Sequence, residues 1–487
     1  MEPERGSKGI FLSIDWITIG LYVVLITWGW VSVCGACYDF NNPDLFAWET
    51  NSGKQIVWAG TSLVLAGVLM LIEKRFYDTA AYVIYGSLML LLLVTIFIAP
   101  DTKGSRSWLP LGPVKLQPAE FAKFAVALAL GKYMDTYGFD IRKTKDIGIA
   151  IAIIMLPMLL IVAQKETGSA LVYLAFFLML YREGMTGSML FSGFAFVVYF
   201  VVGMKYGSDT IGNMPVSVGE FAVLLLIMIF TIGMVWVYCR DMKVIKIMAY
   251  SCFGSTTLAL LFSIYVIPFD ICYVMLGVCV LMIGYIIGLA IYTQLVRYAL
   301  IALFSIASTS MFYISNTLFE HLADHQRIRI EVLLGMKDDP KGAGYNVNQA
   351  KIAIGSGGMF GKGFLNGTQT KLRYVPEQHT DFIFCTVGEE EGFAGAAGVL
   401  IVYLLFIWRL IALSERQPDT MGRVYGYSVL CIFLFHLFIN VGMVLGLTPV
   451  IGIPLPFFSY GGSSLWGFTL LLFIFLRMDA ERNLKRK

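Results

Sequence analysis

The chain has 487 residues, of which 58% are hydrophobic and 14% charged, and its mean hydropathy is +0.74. A soluble domain is about 45–50% apolar and about 25% charged, so this surplus excludes an ordinary soluble globule and has to be buried in lipid. The net charge of +3 is uninformative in total, and what matters is where the charges fall; no nucleic-acid partner is expected.

The first apolar run begins at Asp15, after Glu2, Glu4, Arg5 and Lys8, and lacks a small-residue cleavage site. It reads as an anchor rather than a removed signal peptide. A spanning helix needs about 20 mostly apolar residues, and about fourteen such runs follow one another along the chain. Their expected limits are 15–34, 55–72, 80–99, 118–133, 147–164, 168–181 and 188–204. They continue with 218–239, 247–267, 271–287, 298–318, 393–411, 425–447 and 462–476. An all-α polytopic membrane protein satisfies the backbone internally, as lipid demands. Eight cysteines lie mostly within these runs. Cys34 and Cys37 form the one CxxC, with no second pair or nearby His to complete a zinc set.

Lys74 and Arg75, then Arg142, Lys143 and Lys145, then Arg240, Lys243 and Lys246 all fall on one side. Arg409, Arg416 and Arg423 join them, as does the basic tail. The positive-inside rule makes that side cytoplasmic and puts both termini there. The longest polar stretch, 319–392, then faces outward. Loops longer than about 12–15 residues are usually functional or disordered. This one carries Ile352, Phe360, Phe364 and Phe382, so an ordered loop is expected.

Four segments could carry chemistry. Gln117-Pro118-Ala119-Glu120-Phe121-Ala122-Lys123 opens a span, and Glu120 and Lys123 share a helical face. Ionisable groups inside a span are costly and mark either a site or a paired structural bridge. Just before them Lys103, Arg106 and Lys115 flank Trp108, as an interfacial anchor would. Gly342 to Gly344 and the run from Gly355 to Gly363 resemble a phosphate cradle. They fail the P-loop test, because Lys362 is followed by Gly363, and tight turns explain the glycines equally well. His379-Thr380-Asp381-Phe382-Ile383-Phe384 is followed by Glu389-Glu390-Glu391. An acid beside an apolar run at a membrane surface is desolvated, which moves a carboxyl toward general-base range; a helix-start carboxylate is the plainer reading. Pro454-Leu455-Pro456-Phe457-Phe458-Ser459-Tyr460-Gly461-Gly462-Ser463-Ser464 suggests a broken helix lining a cavity.

These segments, in this order, resemble the SEDS family (shape, elongation, division and sporulation), whose members are peptidoglycan glycosyltransferases. Gly367-Thr368-Gln369-Thr370 and Val450-Ile451-Gly452-Ile453 are most similar to the RodA branch, which serves elongation and cell shape. The resemblance implies about ten core spans, leaving roughly 186–290 as about four inserted helices. The domains are then 1–185 and 291–318 of the core, 186–290 inserted, 319–392 the catalytic loop, and 393–487 the rest of the core. Where the family has Gln-Pro-Asp-Leu-Gly, this chain has Gln164-Lys165-Glu166-Thr167-Gly168.

The resemblance also implies a reaction, polymerisation of lipid II, and a place, the outer face of a bacterial inner membrane. Asp381 would deprotonate the acceptor 4-hydroxyl. Arg106, Lys123, Lys371 and Arg373, or a divalent cation such as Mg or Mn, would stabilise the lipid pyrophosphate leaving group. Glu120, Glu166, His379, Thr380 and Ser463 complete the expected substrate site. A class B penicillin-binding protein and the elongation machinery are the implied partners. Two other classes fit the residues alone. A lipid-precursor flippase would depend on Glu120 and Lys123 more than on Asp381. A scaffold would tolerate loss of Asp381.

Overall fold

The computed structural model describes residues 13–38, 44–102, 104–112, 114–211, 215–320, 324–337, 343–372 and 374–484. Lys103, Lys341, Gly342, Arg373, the N-terminal charges and the last residues of the basic tail lie outside them.

Helices dominate. In chain order they are α1 Trp16–Cys37, α2 Asn51–Leu71, α3 Lys74–Ile98, α4 Pro118–Met134 and α5 Thr144–Ala163. Then come α6 Thr167–Leu171 and α7 Ala175–Arg182, joined through a 3-10 turn at Val172–Leu174. Next are α8 Gly187–Lys205, α9 Val218–Tyr238, α10 Met242–Tyr265, α11 Ile271–Thr293, α12 Val296–Glu320 and α13 Asp324–Leu333. The last are α14 Ala343–Gly357, α15 Thr368–Lys371, α16 Ile383–Glu390, α17 Gly392–Glu415, α18 Thr420–Leu445 and α19 Gly462–Leu484. Among the described residues, twelve helices are long and apolar enough to cross a membrane. The other two expected spans are shorter helices: α4, with 17 residues, and the α6–α7 pair. One small hairpin interrupts this pattern, with β1 (Leu109–Leu111) antiparallel to β2 (Val114–Leu116) and Pro110 opposite Lys115.

Caps explain several helix starts. Asp15, Thr50, Ser217, Asp241, Asp270 and Asp419 each accept an amide hydrogen from the first turn they precede. Several ends are tied by ion pairs. Arg416 binds Asp479, Arg423 binds Glu183 at 2.9 Å, and Lys74 binds Asp419 at 2.6 Å. Arg409 binds Asp15, and Arg477 Nε donates to the Ile72 carbonyl at 2.7 Å.

The chain forms two compact units, one of residues 1–186 with 340–487 and one of 187–339. In the first, α4 packs against α3, α18 and α19. It is buried on almost every side, and Ala119, Ala122, Ala125, Ala127 and Ala129 keep it thin enough for that. In lipid, helices associate through close van der Waals packing, which small side chains permit.

The second unit takes in α8 to α13. The four helices of the 186–290 stretch pack with α12 around Tyr199, Leu224, Ile227, Met275 and Ile301. Thr231 and Ser305 share a hydrogen bond of 3.1 Å inside this bundle. The structural unit therefore extends past residue 290, because α12 buries one face against α8, α9 and α11.

The long polar stretch 319–392 is largely helical rather than an extended loop. Its first part, with α13, belongs to the second unit. Its remainder, α14 to α16, belongs to the first, where α14 packs on α16 and α18.

Candidate active site

Asp381 sits in a tight turn just before α16. The Glu377 carbonyl organises that turn by accepting the amides of Thr380 and Asp381, each at 3.2 Å, and the Thr380 hydroxyl at 3.1 Å. Glu377 itself has a left-handed backbone, with φ +53. Phe382, Ile383 and Phe384 are buried behind the turn, which leaves the Asp381 side chain half-buried at its edge. The Asp381 carbonyl accepts from Asn440 Nδ2 of α18 at 2.8 Å. His379 lies in the same turn. Its carbonyl accepts the Tyr460 amide at 2.9 Å and its ring lies 5.4 Å from that of Tyr460.

The segment before α19 closes the other side. Gly452 has φ +77, and a Cβ there would sit 3.2 Å from Asp381 Oδ2. The Asp381 carboxylate therefore lies against a position that only glycine occupies without strain. One residue earlier, the Ile451 carbonyl would be 2.6 Å from a Cβ on Gly168. The turn holding Glu166 is thus brought to the Asp381 side by two close approaches. Ser107 donates to Glu166 Oε2 at 2.9 Å, and the neighbouring Arg106 amide donates to the Gln164 carbonyl at 3.0 Å. The Arg106 side chain is exposed. Lys165 has φ +61, which a proline ring held near −65° cannot adopt. The turn at 164–166 is therefore built differently from the Pro-containing family pattern.

Glu120 and Lys123 are 3% and 1% exposed, so they lie inside the bundle. Lys123 Nζ is 2.8 Å from Glu120 Oε2 and 3.1 Å from His436 Nε2, and 4.7 Å from the centre of the Phe468 ring. Ser463 is buried too, and its hydroxyl accepts the Gln117 amide at 3.0 Å, joining the starts of α4 and α19. Lys371 ends α15 with its ammonium 4.9 Å over the Tyr38 ring. Arg373 lies outside the described residues.

Sequence reasoning gave no role to two residues of this neighbourhood, His436 and Asn440. Two polar residues spaced four apart within the apolar run 425–447 were the available signal, since polar groups in spans are expensive. It also left the three glutamates at the end of α16 without roles. Glu389 caps α15, accepting the amides of Thr368, Gln369 and Thr370 at 2.7, 2.8 and 2.9 Å and the Lys362 ammonium at 2.7 Å. Burial alone would raise its carboxyl, but these bonds outweigh burial and hold it at about 2. Glu391 accepts Trp28 Nε1 at 2.8 and 2.9 Å.

Glu390 behaves oppositely. Burial pushes it up to about 7, while the amides of Leu365 and Gly367 and the charge of Lys371 pull it back only in part. Its Oε1 has no hydrogen-bond partner, which suits a neutral acid. A carboxyl raised on folding stabilises the fold fully below its unfolded value and loses that contribution as pH rises through its folded value. The shift corresponds to about 3 kcal/mol. Glu390→Gln should melt like the wild type near pH 4.5 and higher than it at pH 8. Identical melting temperatures at both pH values would show that Glu390 is not held neutral.

Among the described residues, no group of three or more His, Cys, Asp or Glu is placed to hold a metal ion.

Residues 12–215 and 211–484 match the sequence profile of the FtsW/RodA/SpoVE family of cell cycle proteins. The chain belongs to this family. It is 33% identical over 442 residues to the peptidoglycan glycosyltransferase RodA of Treponema pallidum, covering 88% of this chain and 89% of that one. It is 29% identical over 405 residues to the peptidoglycan glycosyltransferase MrdB of Escherichia coli K12, covering 83% and 78%. Its fold is similar to a chain of a peptidoglycan synthase complex that coordinates polymerisation and crosslinking, with TM-score 0.59, 22% identity and 96% and 98% coverage. It is also similar to the rod shape determining protein RodA of Thermus thermophilus, with TM-score 0.52, 21% identity and 99% coverage of both chains. These relatives and the membrane helices agree with the SEDS resemblance of the motifs, including its RodA branch.

Proposed function

We propose that this multi-pass membrane protein is a peptidoglycan glycosyltransferase that polymerises lipid II into β1,4-linked glycan strands during elongation and cell-shape maintenance. The observation that carries the reading is the Asp381 turn. A half-buried carboxylate lies against Gly452, with its backbone held from Glu377 and Asn440. Such a carboxylate can take a proton from a sugar 4-hydroxyl as that oxygen attacks the anomeric carbon of a second glycan. The new C–O bond forms as the bond to the lipid pyrophosphate breaks, so an α-linked donor becomes a β-linked product. The leaving group departs as an anion and needs charge stabilisation. Arg106, Lys371 and Arg373 are the cations proposed for it. Lys123 is spent on Glu120 and His436 and acts from behind.

Two cavities suit the parts of such a substrate. One of about 390 Å³, almost wholly apolar, is lined by Val83, Leu88, Leu91, Phe121 and Phe124, and matches a polyprenyl tail. The other, about 420 Å³ and half polar, opens between Glu49, Asn51, Glu377 and His379, beside the Asp381 turn. It matches a glycan or peptide headgroup.

Purified protein given labelled lipid II should yield glycan strands on a gel. Movement of lipid II across liposomes without any strand would instead establish a flippase. The site is proposed to face away from the cytoplasm, in a bacterial inner membrane with both chain ends inside. Phe360 is 81% exposed on the loop, and Lys143 is exposed in a basic loop that the positive-inside rule assigns to the cytoplasm. Phe360→Cys should react with an impermeant thiol reagent in spheroplasts, and Lys143→Cys should not. The reverse pattern would invert the topology. A class B penicillin-binding protein is proposed as the cross-linking partner and should co-purify from native membranes.

A further inference from the structure

α18 carries two fully buried polar side chains one turn apart, and each reaches the segment that closes the Asp381 site. His436 Nδ1 lies 3.0 Å from the Pro454 carbonyl. A carbonyl only accepts, so Nδ1 bears the proton and Nε2 offers its lone pair to the Lys123 ammonium at 3.1 Å. Asn440 Nδ2 donates to the Ile453 carbonyl at 2.7 Å and to the Asp381 carbonyl at 2.8 Å. Two carbonyls facing one amide group fix which end is nitrogen. Asn440 Oδ1 has no partner, so the donor pair is all the hydrogen bonding this position uses. His436 thus pins Pro454, Asn440 pins Ile453 and Asp381 together, and Gly452 beside them rests against the Asp381 carboxylate.

We propose that His436 and Asn440 are positioning residues that fix the Asp381 carboxylate against the acceptor hydroxyl, with the buried Glu120–Lys123 pair as their anchor. This rests on the polymerase reading. The chain of contacts runs from Glu120 through Lys123 and His436 to Pro454, and from Ile453 through Asn440 to Asp381. It joins two helices, α4 and α18, to the segment before α19 and the turn before α16 by bonds no longer than 3.1 Å. Both residues act on the backbone around Asp381, and neither is placed on the reacting atoms. Their loss should therefore lower turnover more than substrate binding.

Asn440→Asp keeps the shape but turns the donor end into an acceptor facing two carbonyls. A misplacement of about 1 Å can cost about 10²-fold in rate. The expected result is a kcat for glycan polymerisation lower by one to two orders of magnitude, about 10–10²-fold, with KM for lipid II within about threefold of wild type. His436→Gln can still donate to Pro454 and accept from Lys123, and should keep far more activity than His436→Leu, which can do neither. If Asn440→Asp does not fold, the comparison of the two His436 variants decides. A folded Asn440→Asp with wild-type kcat, or equal activity in the two His436 variants, would overturn the proposal. So would a loss confined to KM. Asp381→Asn run in the same assay separates the two ideas. An active Asp381→Asn removes the base itself, whereas an inactive Asp381→Asn beside a normal Asn440→Asp removes only the positioning role.

Discussion

Asp381→Asn is expected to abolish glycan polymerisation while yield, melting temperature and lipid II binding stay near wild type. The change preserves the shape of the side chain but removes its charge and with it its ability to take a proton. General-base help is typically worth about 10²–10⁴-fold in rate, and the loss should fall in that range or below detection. The structure explains why folding should survive. The interactions that build the turn go to the Asp381 backbone, through Glu377 and Asn440, and those bonds remain in the Asn variant. Asp381→Glu should retain little activity. Its longer arm would have to push past Gly452, where even a Cβ would come within 3.2 Å of the present carboxylate. The polymerisation rate in liposomes, with lipid II binding measured in parallel, is the decisive comparison. A near-wild-type rate for the Asn variant would remove Asp381 from the mechanism.

Glu120→Ala should produce the largest loss of stability. It strands the Lys123 ammonium at 1% exposure, with a neutral imidazole and the face of Phe468 as its remaining contacts. Removing one partner of a buried ion pair costs roughly 3–5 kcal/mol, because the remaining charge has no solvent to turn to. Replacing both partners with apolar residues of similar volume is often neutral. The double variant Glu120→Leu, Lys123→Met should therefore recover most of the melting temperature lost in the single one. It should not recover full activity, since the anchor for His436 is gone. Thermal melts in detergent together with the strand assay test both statements. A single variant as stable as wild type would show that the pair is peripheral.

Much of this protein could be read from the order of its residues. Hydropathy is a local property, so the apolar runs located the helices, and even the two shorter ones begin where expected, at Pro118 and near Gly168. The run from His379 to Phe384 marked Asp381 because a family motif is contiguous in sequence. The helices of the 186–290 stretch were visible as apolar runs in the same way.

Tertiary structure alone decided which buried polar atoms meet. Lys123 pairs with His436 across 313 positions, and Asn440 holds Asp381 across 59. Hydropathy does not encode such pairings, because they depend on how α4, α18 and the 452–454 segment pack. Glu389 and Glu390 are adjacent and chemically identical, yet one is held at about 2 and the other at about 7. The first turns toward the amides of α15 and the Lys362 ammonium, while the second is buried against Gly35. The grouping of α12 with the 186–290 helices was likewise set by the face it buries. The sequence determined which segments enter the membrane and which carboxylate to suspect. The packing determined what each buried charge and dipole faces, because that free energy depends on neighbours distant in the chain.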